Sequence, residues 1–145
     1  MPLILADFYT HYIFGLNYVS VSAAEFVEDV DQDPCVIIDG LTKNWRYPGL
    51  RVSWTVGPQS VIESLASAGS FLDGGCARPI RRAAAKLITF EQANLEAAAI
   101  QKEFIQKREL LTDGLNSLGI KTKPERAQGA FYCWGDLSGL KDPIN

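Results

Sequence analysis

A chain of 145 residues, 47% hydrophobic and 21% charged, has the composition of one globular domain or two small ones, which excludes a disordered tail or a membrane-embedded protein. The net charge of -3, with Lys and Arg scattered, argues against a nucleic-acid binder, whose footprint is a clustered basic excess. Three well-separated cysteines, Cys35, Cys76 and Cys133, without CxxC spacing, predict neither a disulfide framework nor a zinc site and suit a reducing compartment, the cytoplasm.

In chain order, the opening Met1–Asp7 lacks a basic leader and is too short in its apolar run for a signal peptide or a membrane span. Leu3–Ala6 is continuously apolar and predicts a strand buried on both faces. An aromatic-rich stretch, Phe8 to Phe14, ends at Gly15. Ser22, with Glu25 three residues on, has the form of a capping box for a short helix. The acidic run from Glu28 to Pro34 is expected as an exposed loop. Cys35–Asp39 and Arg51–Gly57 predict two further strands, and Pro58 opens a helix that should run to about Gly69.

Gly74, Gly75 and Pro79 break the chain before a helix expected from about Ile80 to Leu87, in which Arg78, Arg81 and Arg82 read as a solvated face. From about Phe90 to Leu118 the residues Ala97, Ile100, Phe104, Leu111, Leu115 and Leu118 draw one apolar stripe, a long helix stopped by Gly119. Ile120–Lys123 and Ala130–Trp134 predict two strands of a small sheet. Apolar strands interleaved with helices give an α/β class with a parallel-rich sheet.

The segment with chemical content is Asp39-Gly40-Leu41-Thr42-Lys43-Asn44-Trp45-Arg46-Tyr47-Pro48-Gly49-Leu50-Arg51. Lys43 follows a buried strand and a small turn, and Arg51 stands eight residues further on, after Pro48-Gly49. A half-buried lysine near other cations is suited to imine chemistry, and the guanidinium fork is suited to phosphate. A surface lysine and arginine around an ordinary turn has the same spacing. His11, the single histidine, has no cysteine or carboxylate cluster beside it in sequence, so neither a metal nor a triad role is expected of it. Trp45, Tyr47 and Trp54 read as core or interface residues.

This segment resembles the cofactor-lysine signature of the PLP-dependent aminotransferase class I/II family, fold-type I. The resemblance implies Lys43 as the Schiff-base lysine and Arg51 as the phosphate-binding arginine of bound pyridoxal 5'-phosphate. It continues through Ser70–Pro79, similar to a loop that reaches the neighbouring subunit's cofactor, and through Gly129-Ala130-Phe131-Tyr132-Cys133-Trp134, similar to the strand that opens the small domain. Gly40 stands where the family often has a phosphate-binding serine. At the chain's start the family has an aspartate for the pyridine nitrogen and, three residues later, a tyrosine for the ring's phenolic oxygen. Here Ala6-Asp7-Phe8-Tyr9-Thr10 offers either Asp7, with Thr10 at the tyrosine position, or Tyr9, with Ala6 at the aspartate position, so both Asp7 and Tyr9 are cofactor-binding candidates.

The resemblance further implies an incomplete fold-type I large domain over residues 1–88, and over 89–145 a linking helix leading into part of a small α+β domain. The parent enzyme is expected to be a homodimer acting on an amino acid and a 2-oxo acid, of the kind found in fungal secondary metabolism. A lyase of the carbon–sulfur or aminocyclopropane-carboxylate-synthase type shares the lysine signature, and a non-catalytic remnant or interaction module is the third reading. The family's glycine-containing phosphate loop, ring-stacking aromatic and substrate-carboxylate arginine have no counterpart here. The chain is therefore expected to be a C-terminal-half fragment whose own active site is incomplete.

Overall fold

The structure, a computed structural model, describes residues 3–15, 20–123 and 128–140. The apolar runs form the expected strands in one three-stranded sheet of order β1-β2-β3. Strand β1 (Leu3–Ala6) pairs in parallel with β2 (Cys35–Gly40), from Leu3 opposite Cys35 to Ala6 opposite Ile38. Strand β3 (Ser53–Val56) pairs with β2 in the antiparallel sense, from Ile37 opposite Val56 to Gly40 opposite Ser53. The sheet is thus mixed, with one parallel and one antiparallel pairing. β3 starts later than its sequence suggests because Arg51 takes a left-handed conformation, φ 54° and ψ 46°, which no strand residue adopts. The strand expected to be buried on both faces is not: as an edge strand, β1 leaves Leu3 58% and Ile4 64% exposed.

Ser22 makes the predicted capping box, but around a short 3-10 helix, Ala23–Phe26. Helix α1 (Gln59–Leu72) passes through Gly69, where the sequence suggested an end. Its stop lies at Gly74, whose φ of +67° suits glycine and whose N–H bonds back to the Gly69 carbonyl. Helix α2 (Arg78–Leu87) begins two residues before Ile80, with Pro79 in its first turn, where a missing N–H costs little. Arg78, Arg81 and Arg82 are all exposed.

Helix α3 (Phe90–Ser117) is capped by the Thr89 side chain, which accepts from the Gln92 N–H. It ends in a Schellman arrangement: Gly119, at φ +80°, donates to the Asn116 carbonyl and Ile120 donates to the Leu115 carbonyl. Its apolar stripe is covered at Ile100, 1% exposed, and at Phe104, but Leu111 and Leu118 are 46% and 68% exposed. The small sheet pairs β4 (Lys121–Thr122) with β5 (Gly135–Asp136), antiparallel. The second strand therefore lies beyond Ala130–Trp134. Ala130 has φ 59°, and Gly129 is bridged instead to Ile13, so close that a Cβ on it would lie 2.9 Å from the Tyr12 carbonyl oxygen.

The core consists of two clusters flanking the turn after β2. In one, Leu41, Trp45, Val52 and Ala84 are buried, with Leu50, Trp54, Cys76, Ile80, Leu87 and Ala93 packed against them. In the other, Tyr12, Phe14 and Ile100 are buried beneath Tyr9, Phe104 and Phe131. Full burial of each such side chain contributes about 1.5–3 kcal/mol. Ile100→Ala should accordingly lower the unfolding free energy by about 2–5 kcal/mol, whereas Leu111→Ala on the uncovered part of the same stripe should cost under about 1 kcal/mol. Urea titrations of the two variants check this, and equal losses would show that the stripe is buried along its whole length.

Candidate cofactor-lysine site

Lys43 is carried by a tight turn between β2 and β3. Gly40 permits the turn to close, since a Cβ there would lie 2.6 Å from the Val52 carbonyl oxygen and 2.9 Å from the Ser53 Cα. The Leu41 N–H donates to Val52 O at 2.9 Å, Arg46 N–H to Lys43 O at 3.1 Å and Tyr47 N–H to Leu41 O at 2.9 Å. Leu41 and Trp45, both buried, anchor the turn in the first core cluster and leave Lys43 between them half-buried. The Lys43 amine lies 5.2 Å from the centre of the Phe131 ring, a cation–π contact.

Tyr9 meets the same ring edge-on, at 5.3 Å between centres, so Lys43 and Tyr9 come together at Phe131. The Tyr9 hydroxyl pairs with that of Tyr132 at 2.6 Å. This hydrogen bond, then burial, then the charges of Tyr132 and Tyr12, push the Tyr9 phenol up to about 12, so it stays protonated at neutral pH. Asp7 continues the parallel ladder through its N–H to Ile38 O. Its carboxylate turns to the 3-10 helix, accepting from Ser22 Oγ at 2.8 Å and the Ala23 N–H at 3.1 Å.

Arg51 is brought to a different place. Its left-handed backbone turns the side chain outward, where its Nη1 donates to Pro48 O at 2.9 Å. It lines an open cleft of about 590 Å³ together with Phe8, Thr42, Asp73 and Cys76. Thr42, the residue before Lys43, therefore faces the guanidinium's cleft, whereas the lysine amine leans on the Phe131 side of the turn. The Asp73–Ala77 segment borders this cleft in its own chain.

Sequence reasoning passed over the residues that hold the turn. Asn44 is 1% exposed. Its Oδ1 accepts the His11 N–H at 3.1 Å, and its Nδ2 donates to Asp7 O at 2.8 Å, Thr10 Oγ1 at 3.0 Å and Asp39 Oδ1 at 3.3 Å. The His11 ring pairs through Nδ1 with the Asn44 carbonyl at 2.8 Å, and the Tyr12 hydroxyl donates to Lys43 O at 3.0 Å. The available signal was an amide residue placed directly before buried Trp45. Asp39, at the end of β2, has its carboxyl pushed up to about 6, mainly by burial and against the hydrogen bonds from the Gly40 N–H and Asn44, with the charge of Asp7 adding to the rise.

In chemical type the donor set suits the two ends of pyridoxal phosphate, although Lys43 leans to Phe131 and Arg51 lines the other cleft. Lys43 offers an amine for the aldehyde, and Arg51 with Thr42 offers a guanidinium and a hydroxyl for the phosphate. It does not fit at Gly40, which has no hydroxyl and no room for a Cβ. Among the described residues no group of three His, Cys, Asp or Glu is placed to hold a metal ion, and no helix is long and apolar enough to cross a membrane.

The family model "Aminotransferase class I and II" matches residues 1–143. The LL-diaminopimelate aminotransferase of Halothermothrix orenii is 32% identical over 99 residues, 68% of this chain and 24% of that protein. The aspartate aminotransferase of Streptomyces avermitilis is 26% identical over 138 residues, 92% of this chain and 32% of its own length. In fold, the chain is similar to the N-succinyldiaminopimelate aminotransferase of Mycobacterium tuberculosis, with TM-score 0.81 and 21% identity, over 99% of this chain and 35% of that one. A double mutant of Thermus thermophilus aspartate aminotransferase gives TM-score 0.78 and 23% identity, over 95% of this chain and 34% of that one. The chain belongs to the aminotransferase class I and II family, whose members are PLP-dependent, and its fold is a partial fold-type I α/β fold. It spans about a quarter to a third of the length of these curated relatives.

Asp39 gives a pH test of this geometry. Because its folded value, about 6, lies above the ordinary aspartate value near 4, the folded chain binds the proton more tightly. Asp39 should therefore subtract stability progressively as pH rises from about 4 through about 6, with the full loss above that. Asp39→Asn, which keeps an acceptor for Gly40 and Asn44, should melt higher than the parent chain at pH 7.5, with the gap closing towards pH 4.5. A gap that does not change with pH would contradict the burial of this carboxylate.

Proposed function

We propose that this chain carries the cofactor lysine of an aminotransferase that exchanges an amino group between an amino acid and a 2-oxo acid. The observation that carries the reading is the Lys43 turn: a half-buried amine between two core anchors, with Arg51 eight residues on at a cleft shared with Thr42. In this reading residues 1–88 are the C-terminal part of the PLP-binding large domain. Residues 89–145 are the linking helix and the start of the small domain, and the complete enzyme is a homodimer with the Asp73–Ala77 loop near the partner's cofactor.

Lys43 Nζ would hold the aldehyde carbon, and the Arg51 guanidinium, with the Thr42 hydroxyl beside it, would bind the phosphate through charge-assisted hydrogen bonds. Tyr9 offers a protonated hydroxyl for the ring oxygen, which it can donate when Tyr132 is the donor in their pair. Asp7 is the carboxylate candidate for the ring nitrogen; Ser22 and Ala23 both bond its Oδ2, so Oδ1 is the oxygen that would serve. Bound pyridoxal phosphate supplies an electron-withdrawing ring that stabilises negative charge at the substrate's α-carbon. Once the substrate's amino group has displaced Lys43 Nζ from the aldehyde carbon, the freed Lys43 amine would take the proton from the substrate's α-carbon and deliver it to the carbon the lysine had held. A lyase would use the same lysine, but the similar proteins described above are named as aminotransferases, which supports transamination. Ala6 at the aspartate position that goes with Tyr9, together with Gly40 at the serine position, favours as a second reading a chain that binds without turning over.

With limiting pyridoxal phosphate and borohydride trapping, peptide mass analysis should find Lys43 modified ahead of Lys86 and Lys102. Arg51→Ala should lower the preference for pyridoxal phosphate over pyridoxal at Lys43 by about tenfold or more, as expected for one charge-assisted hydrogen bond of about 1.5–3 kcal/mol. Even labelling of all lysines, or labelling dominated by Lys86 or Lys102, would refute the assignment. Labelling at Lys43 without turnover in the reconstituted full-length protein would favour the second reading.

A further inference from the structure

We propose that Asn44 is a positioning residue: its buried amide fixes where the Lys43 amine lies relative to Asp7 and Tyr9. This inference deepens the cofactor-lysine reading and rests on it for its functional meaning. The chain leaving Lys43 is tied twice in succession to the same short segment. The Lys43 carbonyl accepts the Tyr12 hydroxyl at 3.0 Å. Directly after it, Asn44 reaches Asp7 O, Thr10 Oγ1 and the His11 N–H with its amide, and the His11 ring with its own carbonyl. The segment so gripped, residues 7–12, is the one that holds both Asp7 and Tyr9.

The amide does more than fill space. At 1% exposure it has no water to fall back on, so each partner it loses is left buried and unpaired. Its reach to Asp39 Oδ1 also ties the grip to the end of β2. A lysine side chain has many rotamers of similar energy, so the backbone frame that Asn44 sets decides which of them bring the amine to Phe131. Without the amide, the turn keeps Leu41 and Trp45 in the core but loses its register against residues 7–12.

Phe131 gives a direct readout. Reductive dimethylation with 13C-labelled formaldehyde places methyl groups on each lysine amine, and an amine over a ring face is shifted upfield by the ring current. Lys43 over Phe131 and Lys107 over Phe104, at 5.2 and 4.9 Å, should both be displaced from the other lysines. Lys43→Arg and Lys107→Arg assign the two signals. Asn44→Ala should remove most of the Lys43 displacement and leave that of Lys107, which is carried on α3 and reports an intact fold. Should Asn44→Ala also abolish the Lys107 displacement, Thr10→Val decides: it should reduce the Lys43 displacement, and Thr10→Ser should restore it.

A Lys43 signal undisplaced in the parent chain would overturn the proposal. So would one unchanged in folded Asn44→Ala, or in Thr10→Val where Asn44→Ala does not fold. The trapping experiment separates this from the functional reading. A Lys43 signal that moves with Asn44 in a chain whose Lys43 shows no labelling preference would leave the positioning standing and remove the cofactor.

Discussion

The structure around Lys43 depends on a buried amide whose hydrogen-bonding groups are all used. Asn44 lies where β2 gives way to the turn, and its partners come from residues 7, 10, 11 and 39. Each such bond adds only about 1 kcal/mol net, but leaving a buried partner unmade costs about 1–3 kcal/mol. That asymmetry makes the arrangement close to all-or-none. It also explains why the parallel pairing of β1 with β2 is continued past the strand ends, through Asp7 N–H to Ile38 O, into an aromatic segment with no regular structure of its own.

The two core clusters follow from the same turn. Leu41 and Trp45 point to α2 and the start of α3, while Tyr12 and Phe131 gather Phe104 and Ile100 from further along α3. The lysine is thus placed between two packed regions rather than on a loop free to move, as a preorganised site requires. Where the chain lacks such packing, apolar side chains face outward: Leu3 and Ile4 on β1, Phe71 at the end of α1, Leu118 after α3. The similar aminotransferases are nearly three times as long as this chain, and a larger molecule buries a larger share of its apolar surface.

Much of this was legible in the sequence because it rests on local rules. Apolar runs marked the three strands, Ser22 and Glu25 a capping box and Gly119 the helix stop, whereas the family came from the resemblance of the Lys43–Arg51 segment to a known signature and not from its spacing. What was not legible depended on partners distant in sequence. An apolar run reports that a strand can be buried, not that anything covers it, so β1, expected to be buried on both faces, lies exposed at the edge. The left-handed conformations of Arg51 and Ala130 shortened one expected strand and displaced another, and neither residue type announces such a φ. Asp7 and Tyr9 stood out as cofactor-binding candidates through the family resemblance, but their bonds to Ser22 and Tyr132 come from 15 and 123 residues away and were not legible. Asn44 passed unnoticed because an asparagine beside a lysine looks like an ordinary turn residue until its four partners are seen.

The central claim is that the turn bearing Lys43, with the segment it grips, is where the cofactor binds. Hydrogen exchange of the chain with and without pyridoxal phosphate tests it most directly. The account predicts slower amide exchange in residues 7–12 and 40–52 when the cofactor is present, with little change in α1 and along the C-terminal half of α3. Unchanged exchange in both segments, or protection confined to α1 or the C-terminal half of α3, would contradict it.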